Sequence, residues 1–346
     1  MKKWILCIII CMLMIANIVV PISATTCWKQ TSQPLNMGNI LYVGGSGPNN
    51  YTKIQDAIDH AIDRDTVFVY DDSSPYQENI HVDKSLSICG ENKETTIIDG
   101  GEMSACVHLQ ADEILLQGFT LTHSTGDHYG VRISSDENII RGNNFTNNMI
   151  GIYLSDVNFN LIENNEITQN YYAGIYQYAC GDTKISNNTI SRSSVAHQGG
   201  IGVHYSHRTL ITRNLLSENY FGIDISESND NTILNNNIVE NNIGICLDMA
   251  SNNLIKQNNI QENHRPVSWI GVSWHLAKGR WYQNTFNENY WGRSTLLIKP
   301  IFSVLILVYN VQEIPSGLTF SAFGIIPILK FDHHPVQEPY DIPGME

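Results

Sequence analysis

The sequence is poor in charge, and above all in positive charge. Lys and Arg number 20 against 34 Asp and Glu, charged residues make up 16% of the 346 positions, and the formal net charge is −14 at pH 7. A groove for nucleic acid needs a basic stripe that neutralises phosphates, so this balance argues against a nucleic-acid partner. The 42% of hydrophobic residues argues equally against a disordered chain.

Cysteine is sparse and irregularly spaced. Five cysteines lie beyond residue 24, namely Cys27, Cys89, Cys106, Cys180 and Cys246. Because the sequence contains no CxxC pair, it indicates neither a cysteine zinc site nor a disulfide framework. We expect these residues to be small buried side chains, with one disulfide at most.

A long uncharged hydrophobic run lies at the N-terminus. Lys2 and Lys3 precede residues 4–20, and small residues end at Ala24. This layout predicts a secretory signal over 1–24. An uncleaved anchor is the alternative, although the run is shorter than the about 20 residues of a comfortable span. Both interpretations predict a secreted, periplasmic or surface protein that meets the membrane only through this segment.

Asparagine, by contrast, is abundant and periodic. Between Asn138 and Asn289 the sequence has 29 asparagines in register with Ile, Leu and Val. The unit is Asn-x-Ile-x-x-Asn-x-Ile-x-x-Asn, a variable turn, then Gly-Ile-x-Leu-x, and it recurs every 22 to 26 residues. The first predicted polar column is Gln117, Asn143, Asn165, Asn188, Asn214, Asn236, Asn258 and Asn284. The second is Thr122, Asn148, Asn170, Ser193, Asn219, Asn241, Asn263 and Asn289. The predicted apolar column is Phe119, Phe145, Ile167, Ile190, Leu216, Ile238, Ile260 and Phe286.

This repeat predicts stacked coils of short strands. Apolar residues alternate over three to five positions, which is the period of a half-buried strand. A unit of this length is too short for a strand, a crossover helix and a return strand. Because one coil cannot bury its own apolar face, the coils must stack as a solenoid. Asparagine tolerates the backbone of tight corners and can bond to a like residue in the next coil.

The segment before the repeats indicates a capped first coil. Tyr42-Val43-Gly44-Gly45 leads to a stretch in which Thr52 and Gln55 are expected to form a capping box. Ile54, Ala57, Ile58 and Ala61 make one apolar stripe of a short helix. That helix is expected to cover the open end of the first coil.

Together, the repeats and this entry segment resemble the right-handed parallel β-helix (pectin-lyase-like) proteins with PbH1 repeats, and in particular the NosD-like family. The resemblance implies an all-β solenoid with a short N-terminal capping helix and an irregular C-terminal cap. We divide the chain into a signal (1–24), a linker (25–40), an N-terminal cap with the first coils (41–110), regular repeats (111–292) and a C-terminal cap (293–346).

The signatures of known enzymes on this fold are missing. Neither the polygalacturonase pattern, nor the Asp-Pro-His-Asp/Glu motif of mannuronan epimerases, nor an acidic calcium cluster of pectate lyases occurs. A polysaccharide lyase, epimerase or hydrolase remains one hypothesis, with Asp127, His128, His204 and Asp224 as candidate acid and base groups.

The favoured hypothesis is carbohydrate binding. Residues that alternate with the apolar ones of Gly-Ile-x-Leu-x must point outwards. The first outward column reads Arg132, Tyr153, Tyr176, Gly202, Asp224, Cys246 and Ser273. The second reads Ser134, Ser155, Tyr178, His204, Ser226, Asp248 and His275. Rings beside acids and imidazoles suit an extracellular glycan, and the candidate ligand-binding residues are Arg132, Tyr153, Tyr176, Tyr178, His204, Asp224, Asp248 and His275.

A third hypothesis is a metal accessory function, because the NosD resemblance implies copper. The long units place histidine-containing inserts at 123–128, 194–199 and 264–269, each expected just before the Gly-Ile-x-Leu-x strand. The candidate copper or zinc ligands are His123, His128, His197, His204 and His207. Their spacing is not diagnostic of a metal site.

Overall fold

A computed structural model describes residues 38–124, 128–193, 199–273, 284–292, 299–310, 321–332, 335–336 and 338–342. Within these residues the fold is an all-β parallel β-solenoid of about 10 turns with a single helix, as the sequence predicted. The helix, α1, spans Ile54–His60. None of the helical structure in these ranges is long and apolar enough to cross a membrane.

Short strands make up almost all of the regular structure. In chain order they are β1 (Ile40–Val43), β2 (Thr66–Val69), β3 (Tyr76–Gln77), β4 (Ile80–Val82), β5 (Ser87–Gly90), β6 (Ile97–Asp99), β7 (Val107–Leu109), β8 (Leu115–Gln117), β9 (Thr120–Thr122), β10 (Tyr129–Ile133), β11 (Ile139–Arg141), β12 (Asn144–Thr146), β13 (Ile150–Ser155), β14 (Leu161–Glu163), β15 (Glu166–Thr168), β16 (Ala173–Tyr178), β17 (Lys184–Ser186), β18 (Thr189–Ser191), β19 (Ile201–His204), β20 (Leu210–Thr212), β21 (Leu215–Ser217), β22 (Phe221–Ser226), β23 (Thr232–Leu234), β24 (Asn237–Val239), β25 (Ile243–Asp248), β26 (Leu254–Lys256), β27 (Asn259–Gln261), β28 (Arg265–Ser273), β29 (Thr285–Asn287), β30 (Lys299–Asn310) and β31 (Ser321–Asp332).

These strands form three sheets, one on each side of the coil. Sheet A has the order β1-β2-β5-β8-β11-β14-β17-β20-β23-β26-β29. Sheet B has the order β3-β6-β9-β12-β15-β18-β21-β24-β27. Sheet C has the order β4-β7-β10-β13-β16-β19-β22-β25-β28-β30-β31. All described pairings are parallel except β30 with β31, which is antiparallel.

The core follows from the pattern of the three-residue strands. In most strands of sheets A and B only the middle residue points inwards, so each coil contributes one apolar side chain per strand to a continuous stack. In sheet A this stack is Val67, Ile88, Leu116, Ile140, Ile162, Ile185, Ile211, Ile233 and Ile255, all of them buried. Each such burial stabilises the fold by about 1.5–3 kcal/mol before the entropy of ordering is counted.

Buried asparagines join successive coils at all three corners. Asn214, which lies between sheets A and B, is a typical member. Its Oδ1 accepts from the backbone nitrogen and the Nδ2 of Asn188, at 2.9 and 3.0 Å. Its Nδ2 donates to the Ile185 carbonyl at 2.9 Å and to Asn236 Oδ1 at 3.0 Å. One side chain thus satisfies buried polar groups of both neighbouring coils, where an unpaired group would be costly.

In the first coil of the repeat, the predicted register of the asparagine columns was wrong by two residues. The backbone nitrogen of Phe119 donates to Asn143 Oδ1, so Phe119 and not Gln117 occupies that column. Ser124 likewise takes the position predicted for Thr122, because its nitrogen donates to Asn148 Oδ1. The apolar partner of Phe145 is Leu121 and not Phe119.

The register was also wrong in the last coil, by five residues. Asn284 Oδ1 accepts from Asn253, and Asn289 Oδ1 accepts from Asn258. Phe286 correspondingly pairs with Ile255 instead of Ile260. The unit repeats Asn-x-Ile at a five-residue offset, so a slip by one offset reproduces nearly the same pattern. The period alone therefore could not fix this register.

The third predicted insert is part of a strand. Arg265 pairs directly with Ile243, so residues 265–269 belong to β28. The additional residues of this long coil therefore follow β28, and residues 274–283 lie outside the described residues. Histidine-bearing inserts do not precede the sheet C strand in all three long units.

The capping of α1 also differs from the prediction. Lys53 is the N-cap residue and makes no side-chain capping bond. Instead, the Glu78 carboxylate accepts from the backbone nitrogens of Ile54 and Gln55, at 2.9 and 3.0 Å. The predicted apolar stripe is confirmed, because Ile54, Ala57 and Ile58 are buried. A carboxylate also complements the positive end of the helix dipole.

At the other end, β30 and β31 form an antiparallel hairpin that extends sheet C, where the sequence predicted an irregular cap. Asp332 Oδ2 accepts from the backbone nitrogen and Nδ2 of Asn289, at 3.0 and 3.1 Å, and from Trp291 Nε1 at 2.9 Å. A carboxylate therefore ends the column that asparagines begin. Cys89, Cys106, Cys180 and Cys246 are free thiols, and Cys27 lies outside the described residues.

We predict that Asn214→Ala lowers the free energy of unfolding by about 3 kcal/mol, because buried groups of Asn188, Ile185 and Asn236 lose their partner. Urea denaturation followed by circular dichroism measures this change. The control is Asn242→Ala, since the half-exposed Asn242 side chain makes no hydrogen bond to any described residue. Its cost should stay within about 0.5 kcal/mol. Equal losses of unfolding free energy in both variants would show that the corner hydrogen bonds of Asn214 are not stabilising.

We also predict that Glu78→Ala destabilises the protein by about 1 kcal/mol, the usual cost of losing a helix cap. Thr52→Ala should leave stability unchanged, because Thr52 is exposed and does not cap α1. Thermal melts of both variants test this pair. If Thr52→Ala lowered the melting temperature and Glu78→Ala did not, the predicted capping box would be correct.

Candidate functional site

The outer face of sheet C carries two columns of mostly polar and aromatic side chains. We call this the sheet C face. Its first column is His81, His108, Arg132, Tyr153, Tyr176, Gly202, Asp224, Cys246 and Ser268. The predicted register holds from Arg132 to Cys246. Ser268, and not Ser273, is the neighbour of Cys246, because β28 begins at Arg265.

The second column also follows the predicted register as far as Asp248 and departs from it in β28. It runs through Ser155, Tyr178, His204, Ser226, Asp248 and Ile270. His275 was predicted to follow Asp248, but Ile270 holds that position. His275 itself lies outside the described residues and is therefore not part of the described face.

A stack of aromatic rings occupies the middle of the face. The rings of Tyr129 and Tyr153 are stacked at 4.4 Å, and those of Tyr153 and Tyr176 at 6.0 Å. The His204 ring follows at 4.9 Å from Tyr176. The rings cover one another's faces, so they present mainly their edges and hydroxyls to solvent. Burial, followed by neighbouring tyrosines and Asp224, raises the pKa of Tyr176, so its phenol remains a hydrogen-bond donor.

Beyond the stack lies a polar cluster. His204 Nε2 is 3.1 Å from Asp224 Oδ2, and the two side chains are only 15% and 8% exposed. Of the four residues predicted as acid and base groups, the structure brings these two together. His128 lies just before β10, and Asp127 is outside the described residues. Burial and the Asp224 carboxylate raise the pKa of Cys246, so its thiol remains protonated and is a poor nucleophile.

Asp248 extends this cluster into the next coil. Burial raises the pKa of its carboxyl group, and the charges of Asp224 and Glu227 add to the shift, while His204 opposes it. Its Oδ1 is shielded from solvent and has no hydrogen-bond partner within the described ranges. Three carboxylates therefore share one end of the face.

Two exposed tyrosines stand beside the cluster. Tyr178 is 40% exposed and Tyr205 is 48% exposed. Their rings meet edge to face at 5.2 Å, and the Tyr205 hydroxyl donates to Glu227 Oε1. Tyr205 could not be predicted from the strand pattern, because it directly follows β19 instead of lying within it. Its φ of 50° places it in the left-handed region, a conformation that recurs at this turn in successive coils.

The opposite end of the face carries two histidines beside Arg132. The rings of His81 and His108 lie 5.7 Å apart, and His108 Nε2 is 3.0 Å from Ser134 Oγ. Burial, followed by the charges of Arg132 and His81, lowers the pKa of His108 to about 4. Neither histidine could be predicted from the sequence, because the first coils lack the asparagine unit that identifies the later ones.

The model of the family described as periplasmic copper-binding protein (NosD) matches residues 58–295. The chain belongs to the NosD family. This confirms the resemblance that the repeats and the entry segment indicated. No curated protein sequence matches the chain.

Solved structures of the same architecture have low sequence identity. The Dettilon tailspike protein is 16% identical, with 73% of this chain and 62% of that chain covered, at a TM-score of 0.49. Tailspike protein 2 from Escherichia coli O157:H7 bacteriophage CAB120 is 12% identical, with coverages of 73% and 42% and a TM-score of 0.50. DFA-IIIase from Arthrobacter chlorophenolicus A6, in complex with DFA-III, is 12% identical, with coverages of 78% and 84% and a TM-score of 0.54. The chain thus spans less than two thirds of either tailspike, and these likenesses concern the fold alone.

The described residues of this NosD protein do not fit a resident copper site. Within the described ranges, no three His, Cys, Asp or Glu side chains are grouped so that they could hold a metal ion. His123 Nδ1 instead lies 3.0 Å from Asp99 Oδ2, and His204 pairs with Asp224. His207 lies in a turn after β19, bridged to the neighbouring coils, and His197 is outside the described residues.

We predict that Asp248→Asn raises the melting temperature at pH 7, because the variant removes a carboxylate that burial and two neighbouring acids penalise. A pKa raised in the folded state means that stability is present below the unfolded pKa and is lost as pH rises through the folded pKa. The gain should therefore shrink toward zero below about pH 4. Melts of both proteins across this range test the sign.

Glu240→Gln is the control for this prediction, because Glu240 is exposed and has no ion pair with a described residue. It should leave the melting temperature nearly unchanged at every pH. A destabilised Asp248→Asn at pH 7 would contradict the proposed penalty on the carboxylate.

Proposed function

We propose that the protein binds carbohydrate on the sheet C face, without catalysis. The observation that carries this proposal is the exposed Tyr178 and Tyr205 pair, which stands beside His204 and Glu227. Tyrosine combines an apolar ring face with a polar hydroxyl. A sugar ring can stack on that face while its hydroxyls bond to the adjacent carboxylate and imidazole.

The shape of the face suits a chain rather than a compact molecule. From β10 to β25 it crosses six adjacent strands of sheet C, a length of about 24 Å at normal strand spacing. The polar groups repeat at each strand, so they offer one set of contacts per coil. A linear oligosaccharide could follow this row, whereas a small ligand would use only a fraction of it.

The polar groups of the face favour binding over chemistry. Asp224 is 8% exposed and bonded to His204, so it is poorly placed to reach a substrate directly. The Cys246 thiol is held in its protonated form by burial and by Asp224. A protein of the same fold, XylC, has been solved with xylose at 11% identity and a TM-score of 0.50. This supports the proposal only at the level of what the fold can present.

We further propose an extracytoplasmic location, where such glycans occur. The family to which the chain belongs is described as periplasmic, and the sequence predicts a secretory signal over 1–24. Fractionation of cells that express the full chain tests this. Recovery of the protein only in the cytosolic fraction would contradict it.

Glycan-array screening of the purified protein, followed by calorimetry on the best ligand, tests carbohydrate binding. Tyr178→Ala and Tyr205→Ala should each weaken binding by about tenfold, from the lost ring contact. Phe159→Ala is the matched control, because Phe159 is 52% exposed but lies at the end of its turn next to sheet A, two residues before β14. Absence of binding to any glycan, or equal affinity in all three variants, would overturn the proposal.

A further inference from the structure

Arg132 places a positive charge on the outer surface of sheet C. It lies on the sheet C face between His108 and Tyr153 and is exposed. Its guanidinium has no ion pair and no hydrogen bond with any residue that the structure describes. Two other arginines are paired, Arg208 with Asp182 and Arg192 with Glu218. In a chain with a formal net charge of −14, this guanidinium places a positive charge on the sheet C face that no described residue pairs with.

Among the described residues, the charges that act on His108, the neighbour of Arg132, are positive. The charged groups that shift the pKa of His108 are Arg132 and His81, both of which lower it, and no carboxylate is among them. The local potential on this part of the face is therefore positive. The other end of the face carries Asp224, Asp248 and Glu227. The sheet C face is thus bipolar, with a cationic end at Arg132 on β10 and an acidic end at β22 and β25.

Hydrogen-bond donors accompany this charge. The Ser134 hydroxyl and His108 Nε2 lie 3.0 Å apart on neighbouring coils, one strand position from Arg132. Both are neutral at pH 7, since the pKa of His108 is about 4. A guanidinium with neutral donors beside it is a good receptor for a carboxylate or sulfate group, because charge-assisted bonds to Arg are strong and directional.

The same arrangement is a poor receptor for a metal cation. His81 and His108 alone could offer two imidazole nitrogens, since their rings are 5.7 Å apart. The adjacent guanidinium, however, repels any cation that approaches this pair. An anionic group is compatible with Arg132, Ser134 and both histidines. A metal ion is compatible only with the two histidines.

We infer that the glycan bound by the sheet C face is anionic, and that Arg132, His108 and Ser134 receive its carboxylate or sulfate group. This inference rests on the proposed carbohydrate-binding function. The anion subsite on β10 and the Tyr178 ring on β16 are separated by two strand spacings, about 10 Å along the solenoid. One oligosaccharide can therefore occupy both, with its acidic unit on Arg132 and a neutral unit on the tyrosine pair.

The test compares the affinity of the full chain for three probes at low salt: an oligogalacturonate, a sulfated oligosaccharide and a neutral oligosaccharide of matched length. At least one acidic probe should bind about tenfold or more tightly than the neutral one, and the preference should fall as salt is added. The better of the two acidic probes identifies the group as a carboxylate or a sulfate. Equal affinity for all three would overturn the inference.

Variants assign the effect to the subsite. Arg132→Gln should abolish the preference for the acidic probe, and Arg132→Lys should retain part of it, since Lys keeps the charge but loses the planar fork. Arg141→Gln is the matched control, because Arg141 is also exposed but lies on sheet A. It should change nothing. An acidic preference that survives Arg132→Gln would contradict the assigned residues.

The two proposals fail in different ways. If neutral and acidic probes bind equally and Tyr178→Ala weakens both, the carbohydrate-binding function stands and the anion subsite is wrong. If no probe binds to the wild-type protein, the proposed function is wrong and the subsite falls with it. Unchanged melting temperatures of the Arg132 variants show that any loss of binding is not a loss of fold.

Discussion

The corner hydrogen bonds of asparagine are the constraint on which this structure depends. Each coil must turn three times without leaving buried backbone groups unpaired, and strand pairing cannot reach the corner residues. Asn214 shows how this is solved, with two bonds accepted from one coil and others donated to the neighbouring coils. The bonds are short in reach, so each coil must lie directly over the last. The asparagine content thus reflects architecture and not activity.

Exact stacking has a functional consequence, because it turns a position in the repeat into a line on the surface. Successive outward positions become columns with one side chain per coil, and the strands hold these at fixed spacing. Arg132, Tyr153 and Tyr176 are neighbours on the face although each lies more than 20 residues from the next. A surface of this kind can be varied one coil at a time without disturbing the core, which explains how one face can contain a cationic end, an aromatic stack and an acidic end.

The sequence predicted the solenoid, its inward residues and the register of the central coils, because a buried amide ladder and a two-residue strand period leave little freedom there. The prediction from sequence failed where one motif fitted two positions, and where the contacting residue lies far away in the sequence. The last coil slipped because Asn-x-Ile recurs after five residues, so Asn284 and Asn289 each fitted two columns. The cap of α1 comes from Glu78, 24 residues from Ile54. His81, His108 and Tyr205 were missed because the first coils lack the repeat and because a turn residue joined the face.

The bipolar charge of the face follows from the same geometry. Charges in one column are separated by whole strand spacings, so Arg132 on β10 and the carboxylates on β22 and β25 are too far apart to neutralise one another, and the tyrosine stack lies between them. Water screens them further. Each end therefore keeps its own potential instead of forming an internal ion pair. An anionic group is attracted to one end and repelled from the other, so a chain with a single acidic unit would bind in one orientation. A face of uniform charge would bind such a chain in either direction, and a fully neutral face would not distinguish its ends.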